Sequence, residues 1–331
     1  MLVRFIGLTL RRIANTWNLM KQSFVVIRGH PPLLLLPVAS AVFCLLISIS
    51  TLGGGVLIFH IRLRSEDFAP AVPKASVESA RELMLAAIDQ LLGNTDIGES
   101  TAPRTASEKK DAEHVWLVLF FFYVANYVVI TYFNVAFAHV ALNRLMGGTA
   151  TLDDGLKIAW ARKHAVLQWA VLASTVGILL KWVSDRSTLG KFIASILGYV
   201  WRLATYLVMP MLALEDLSAG EALYSSASLL KRTWGEVLIA GFSFPLLFWI
   251  LASPGIALFF LGGFMGQSIG LAAVVVLAYW LLLAVIVSSA EQTFTAALYL
   301  YARDRKTIGF SKNDLKKAWE GLEPLPIGQA L

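Results

Sequence analysis

From Val237 to Ala290 the chain carries no charged residue. As one straight helix rising 1.5 Å per residue, that run would be roughly 80 Å long, against a hydrocarbon core of about 30 Å. It has to fold back, and the glycine-rich stretch GGFMGQSIG (residues 262–270) supplies the turn. A soluble domain has nowhere to put such a segment. The composition agrees, with 57% hydrophobic residues against 15% charged, so the bilayer is the main solvent.

Spans and sides follow from where Lys and Arg collect between apolar runs. Residues 1–30 carry Arg4, Arg11, Arg12, Lys21 and Arg28 with no acid, and Ile13, Trp17, Met20 and Phe24 recur at helical spacing. This pattern predicts an amphipathic helix on the inner leaflet, ended by Pro31-Pro32 and covering residues 1–32. Span 1 follows, about Leu33–Phe59. Residues 61–113 hold seven basic and ten acidic residues, which assigns them to the outer side. Within them the Ser79/Glu82 capping pattern and the apolar positions Met84, Ala87, Ile88 and Leu91 predict a helix at about 76–92. Span 2 runs about Val115–Leu142.

Thr151 and Asp154 then stand at capping-box spacing at the head of a basic inner segment, before span 3 (about Ala165–Val183) and span 4. Ser218 and Glu221 repeat the spacing. After them Ala222, Leu223, Ser226, Leu229, Leu230, Thr233 and Trp234 form one apolar stripe, followed by spans 5 and 6. Arg303, Arg305 and Lys306 stop span 6 inside, and residues 311–331 form a cytosolic tail. The reading is an all-α membrane protein with a six-span domain over residues 33–310. It forms three hairpins, each preceded by a cytosolic amphipathic helix, with both termini cytoplasmic. The threefold pattern lies in structure rather than in matching text.

The segments FNVAFAHVALNRLMGGTATLDDGLKIAWARKHAVLQWAVLASTVG and LGYVWRLATYLVMPMLALEDLSAGEALYSSASLLKRTWGE resemble a widespread set of bacterial integral-membrane proteins of unknown function. More loosely, the chain is similar to the membrane domains that accompany some glycerophosphodiester phosphodiesterases. What the resemblance implies is a bacterial cytoplasmic membrane and this fold. It implies no reaction, and the soluble phosphodiesterase domain has no counterpart here.

Among candidate sites, Arg202 lies in the middle of span 4. A cation there costs about 2.5–3.5 kcal/mol on insertion scales, so it is either paired or reaches the interface by snorkelling. Glu291 is the one acid in the apolar run of span 6. It precedes Arg303 by twelve residues, as Arg202 precedes the inner acid Glu215 by thirteen. Both spans run outside to inside, so equal distances from the boundary mean similar depth, and the spacing predicts an intramembrane Arg202–Glu291 pair. Asn134 and Gln292 are expected as neighbours. Asn126 and Asn134, eight apart on one face, serve either as interhelical glue or as a substrate contact.

Cys44 has no partner in the chain for an internal disulfide. The five histidines fall near span ends, where interfacial anchoring competes with a His60/His114 metal site that no close ligand spacing supports. No cofactor motif is present, and nothing interleaves aromatics with basics as a nucleic-acid groove would. The expected partners are membrane lipid and a protein, which includes another copy of the chain. The leading functional expectation is a non-enzymatic scaffold or component of a membrane complex. The alternative is a transporter or channel for a small solute or lipid with its site at Arg202, and an intramembrane enzyme ranks third.

Overall fold

A computed structural model describes residues 21, 23–66, 106–264 and 269–303. Within them all regular structure is helical: α1 (Leu35–Glu66), α2 (Ala106–Leu145), α3 (Leu152–Ala161), α4 (Lys163–Ser184), α5 (Thr188–Ala204), α6 (Val208–Leu214), α7 (Ala219–Phe264) and α8 (Ile269–Ala302). A 3-10 turn, Pro31–Leu34, precedes α1, and residues 23–29 are helical. Five helical stretches among the described residues are long and apolar enough to cross a membrane: Pro31–Thr51, Phe120–Leu145, Lys163–Ser184, Thr188–Leu214 and Ala273–Ala302. The chain is a multi-pass membrane protein. Large apolar side chains such as Phe192, Ile196, Val274 and Leu282 stand exposed along these helices, and Trp249 and Phe260 along α7, as a lipid-facing surface requires.

The chain divides into two compact units, residues 45–122 and the remainder. The described part of the first consists of helical segments 45–66 and 106–122. Residues 61–66 and 106–113, assigned to the outer loop by sequence, are helical; nothing in SEKKDAEH breaks a helix. The expected helix at 76–92, most of the N-terminal helix and the tail from 311 lie outside the described residues.

In the larger unit α7 and α8 pack along each other, with the Phe244 and Phe294 rings 5.7 Å apart. Both also meet α6, while α4 pairs with α5. The core centres on the end of α2 (Val135 to Leu145), α6 and the last turns of α8 (Ala290 to Leu300).

Two helix starts are built alike. Thr151 donates its backbone N–H and its hydroxyl to Asp154 Oδ2, both at 2.8 Å. Ser218 does the same to Glu221 Oε2 at 2.8 and 2.7 Å. The return bonds, from Asp154 N and Glu221 N, are both 3.4 Å. Thr151 and Ser218 lie 67 positions apart, and the same offset relates the buried Gly155 and Ala159 to the buried Ala222 and Ser226. Gly155 is required by contact: a Cβ there would stand 2.6 Å from the Ala136 carbonyl oxygen. Buried Ser23 and Ile27, also four apart, give the helical segment before α1 a similar face.

Two expectations need correction. Span 4 is not one helix, because residues 205–207 interrupt it between α5 and α6. The segment from Ser218 does not end before span 5, since α7 continues unbroken through Pro245 and Pro254. A helix of 46 residues is about 69 Å long, and the two prolines are absorbed inside it.

Candidate functional site

Pro210 permits the break at residues 205–207. Without an N–H, Pro210 cannot bond the Tyr206 carbonyl one turn back, so the chain tightens there and Pro210 falls in the first turn of a new helix, where proline is tolerated. The backbone switches to three-residue bonds, Tyr206 N to Leu203 O (3.2 Å) and Val208 N to Thr205 O (3.1 Å). Leu207 N–H, buried and released from the helix, donates instead to Ser226 Oγ on α7 at 3.2 Å.

One turn before the break, Arg202 on α5 meets Glu291 on α8, with Nη2 to Oε1 at 3.7 Å. The fold thus brings these two residues together. The pair is only partly enclosed, since the Arg202 side chain is 51% exposed and that of Glu291 30%. The buried Tyr206 hydroxyl lies beside Glu291, Thr295 and Arg202. Thr295 bonds the Glu291 carbonyl at 2.8 Å. Trp201, next to Arg202, stacks on Trp169 of α4 at 5.9 Å, with ring planes 5° apart.

Of the expected neighbours, Gln292 has its Nε2 3.4 Å from Ser288 Oγ on its own helix. Asn126 and Asn134 lie on α2, and Tyr206 and Thr295 bring polar groups beside the pair. Near Asn126, α2 faces α1: Cys44 Sγ is 4.0 Å from the Asn126 carbonyl oxygen, and the Phe43 and Phe133 rings are 5.7 Å apart.

A second charged cluster was not foreseen. The consecutive acids Glu215 and Asp216, just after α6, are held by different helices. Arg303 reaches Glu215 at 2.7 Å, and the buried Tyr299 donates its hydroxyl to the same carboxylate. Arg162, between α3 and α4, pairs with Asp216. The signal available in sequence was two acids at the end of a span with basic residues ending two others.

Charges outside the spans are tuned by short contacts. Bonds from the Thr151 backbone, then its hydroxyl, hold the Asp154 carboxyl below its usual range, and Ser218 does so for Glu221. Asp153, bonded at 2.5 Å, pushes Lys157 up. Burial, then the Arg144 charge, pushes His30 down.

Comparison with curated proteins and with solved structures finds no match. A family model covers residues 114–310, a stretch that includes Arg202, Glu291, both capping boxes and both members of the Glu215–Arg303 pair. The chain belongs to the family of unknown function DUF6159.

Proposed function

We propose that this protein is a non-enzymatic, six-span component of a bacterial cytoplasmic membrane, with both termini inside, that acts as a scaffold within a membrane complex. The sixth span is α7, whose described apolar stretch Phe244–Phe260 lies within the charge-free run. Amphipathic helices line the inner face in this reading: α3 buries Gly155 and Ala159 while exposing Asp153, Asp154 and Lys157, and the head of α7 buries Ala222 and Ser226 while exposing Glu221 and Ser228. Exposed Trp160, with Lys163 over its ring at 5.3 Å, and exposed Trp182, with Arg186 at 4.2 Å, suit the two interfaces at the ends of α4.

The observation that carries the scaffold reading is the Arg202–Glu291 pair. Its two charges answer each other across α5 and α8, which is what holding a bundle together needs. The test is capture from membranes in a gentle detergent, with mass spectrometry of proteins and lipids together. A reproducible protein partner at fixed ratio is expected; capture of the chain alone would count against a scaffold.

The break beside Arg202 favours a second reading, a transporter of a small solute or lipid, because interrupted helices recur at intramembrane binding sites. Flux in proteoliposomes that Arg202→Ala abolishes would put transport first. The looser likeness to phosphodiesterase membrane domains adds no activity. Purified protein is expected to leave glycerophosphodiesters intact, and turnover that one point substitution removes would put an enzyme first.

A further inference from the structure

The end of α2 and the start of α3 flank a half-open cleft of about 610 Å³, lined by His139, Asn143, Thr149, Asp154, Lys157 and Ile158. Its wall is a fixed turn. Gly148 N bonds Asn143 O at 2.8 Å, Gly147 N bonds Arg144 O at 3.0 Å, and Gly147 takes a φ of 91° that favours glycine. Asn143 Oδ1 accepts from Ala150 N, and Arg144 Nε donates to Ala150 O, both at 2.9 Å. A Cβ on Gly148 would collide with the Asn143 side chain at 2.1 Å.

The cleft's chemistry is mixed in sign. Asp154 uses Oδ2 for its capping bonds, which leaves Oδ1 for a second donor. Lys157, paired on its own helix with Asp153 at 2.5 Å, brings an ammonium and Thr149 a hydroxyl, both exposed. His139 lines the cleft with its Nδ1 sealed from solvent and unpartnered. The repeated helix start makes an internal comparison possible. At the 67-residue offset, Gly148 and Thr149 correspond to Glu215 and Asp216, which are occupied by Arg303 and Arg162. His139 corresponds to Tyr206, likewise buried at its polar atom, beside the Arg202–Glu291 pair. At the second helix start the corresponding positions are paired with the chain's own charges, and at the first they line an open cleft.

We propose that this cleft binds the zwitterionic headgroup of an ethanolamine phospholipid, its ammonium on Asp154 and its phosphate on Lys157 and Thr149. One anion and one cation in a single cleft match a ligand that carries both. A primary ammonium donates hydrogen bonds to a carboxylate, as a quaternary choline does not. The lipid source follows from α3 lying against the last turns of a spanning helix, with the Tyr132 hydroxyl donating to Leu156 O at 3.1 Å and Trp160 exposed nearby. That source rests on the inner-face placement of α3 given above, whereas binding of the headgroup chemistry does not.

The experiment measures thermal stabilisation and native mass spectra of the full-length protein in detergent with phosphatidylethanolamine, phosphatidylcholine or phosphatidylglycerol of identical chains. Soluble glycerophosphoethanolamine is the fourth arm. Phosphatidylethanolamine is expected to bind best, the soluble headgroup to compete weakly, and Lys157→Glu with Thr149→Val to weaken binding about tenfold or more. Both side chains are exposed and the Lys157–Asp153 pair lies on the surface, where such pairs contribute little, so the unliganded melting point is expected to change little. Equal binding of the three lipids, a preference for the anionic one, or a preference that survives both substitutions overturns the proposal. Tight binding of the soluble headgroup with no gain from acyl chains overturns the lipid assignment and identifies a soluble zwitterion.

Discussion

Ser226 shows how much one small side chain carries. Its hydroxyl, 1% exposed, is the acceptor for the Leu207 N–H that the helix break releases. Ser226→Ala leaves that donor buried without a partner and is expected to cost about 1–3 kcal/mol in thermal or denaturant unfolding. Ser225→Ala, half-exposed next door, is expected to change little. At Gly155 the penalty is steric: Gly155→Val drives a side chain into the Ala136 carbonyl and Val140, with an expected loss of about 1–3 kcal/mol. Asp154 and Glu221 set a pH dependence. Both carboxyls are held below their ordinary values in the fold. Their contribution is therefore complete above the unfolded carboxylate range, about pH 4, and is lost as pH falls through the folded values. Asp154→Asn with Glu221→Gln is expected to flatten the acid side of the curve of melting temperature against pH. An unchanged acid slope would refute the assignment.

Among the elements, the pairing of α5 with α8 through Arg202 and Glu291 was legible because depth in a bilayer can be counted. Each residue stands a similar number of positions before a charged segment, and lipid gives an isolated charge a strong reason to find its opposite. The break in span 4 was not legible, although Pro210 was in plain view. A proline in an apolar run reads equally as a tolerated kink, and what decides for a break is Ser226, nineteen residues on, reaching the freed Leu207 N–H. The continuity of α7 was hidden for a related reason, since its amphipathic head and its apolar stretch share one helical periodicity and no proline separates them between Ser218 and Pro245. Charge exchange tests the pair. Arg202→Glu and Glu291→Arg are each expected to lower the yield of folded protein on size exclusion, and the double exchange to recover a substantial part. Additive losses would mean that the two side chains do not support each other.

For the whole molecule, the proposed topology makes an accessibility prediction. In a Cys44→Ser background, cysteines at Ser107 and Lys191 are expected to react with an impermeant thiol reagent from outside intact cells, and one at Ser228 only after lysis. The opposite pattern would invert every side assigned above. The two-acid connector after α6 also has a consequence in time. Arg162 has already been synthesised when Asp216 leaves the ribosome, but Arg303 lies 88 residues beyond Glu215. At about 5–20 residues per second, Glu215 waits roughly 4–18 s for its partner. Until α8 arrives, Arg162 can tie down Asp216 while the neighbouring carboxylate and the space for Tyr299 stay open. Arrival of α8 thus closes the connector, and a chain stopped at Phe264 would leave Glu215 without Arg303 and Tyr299.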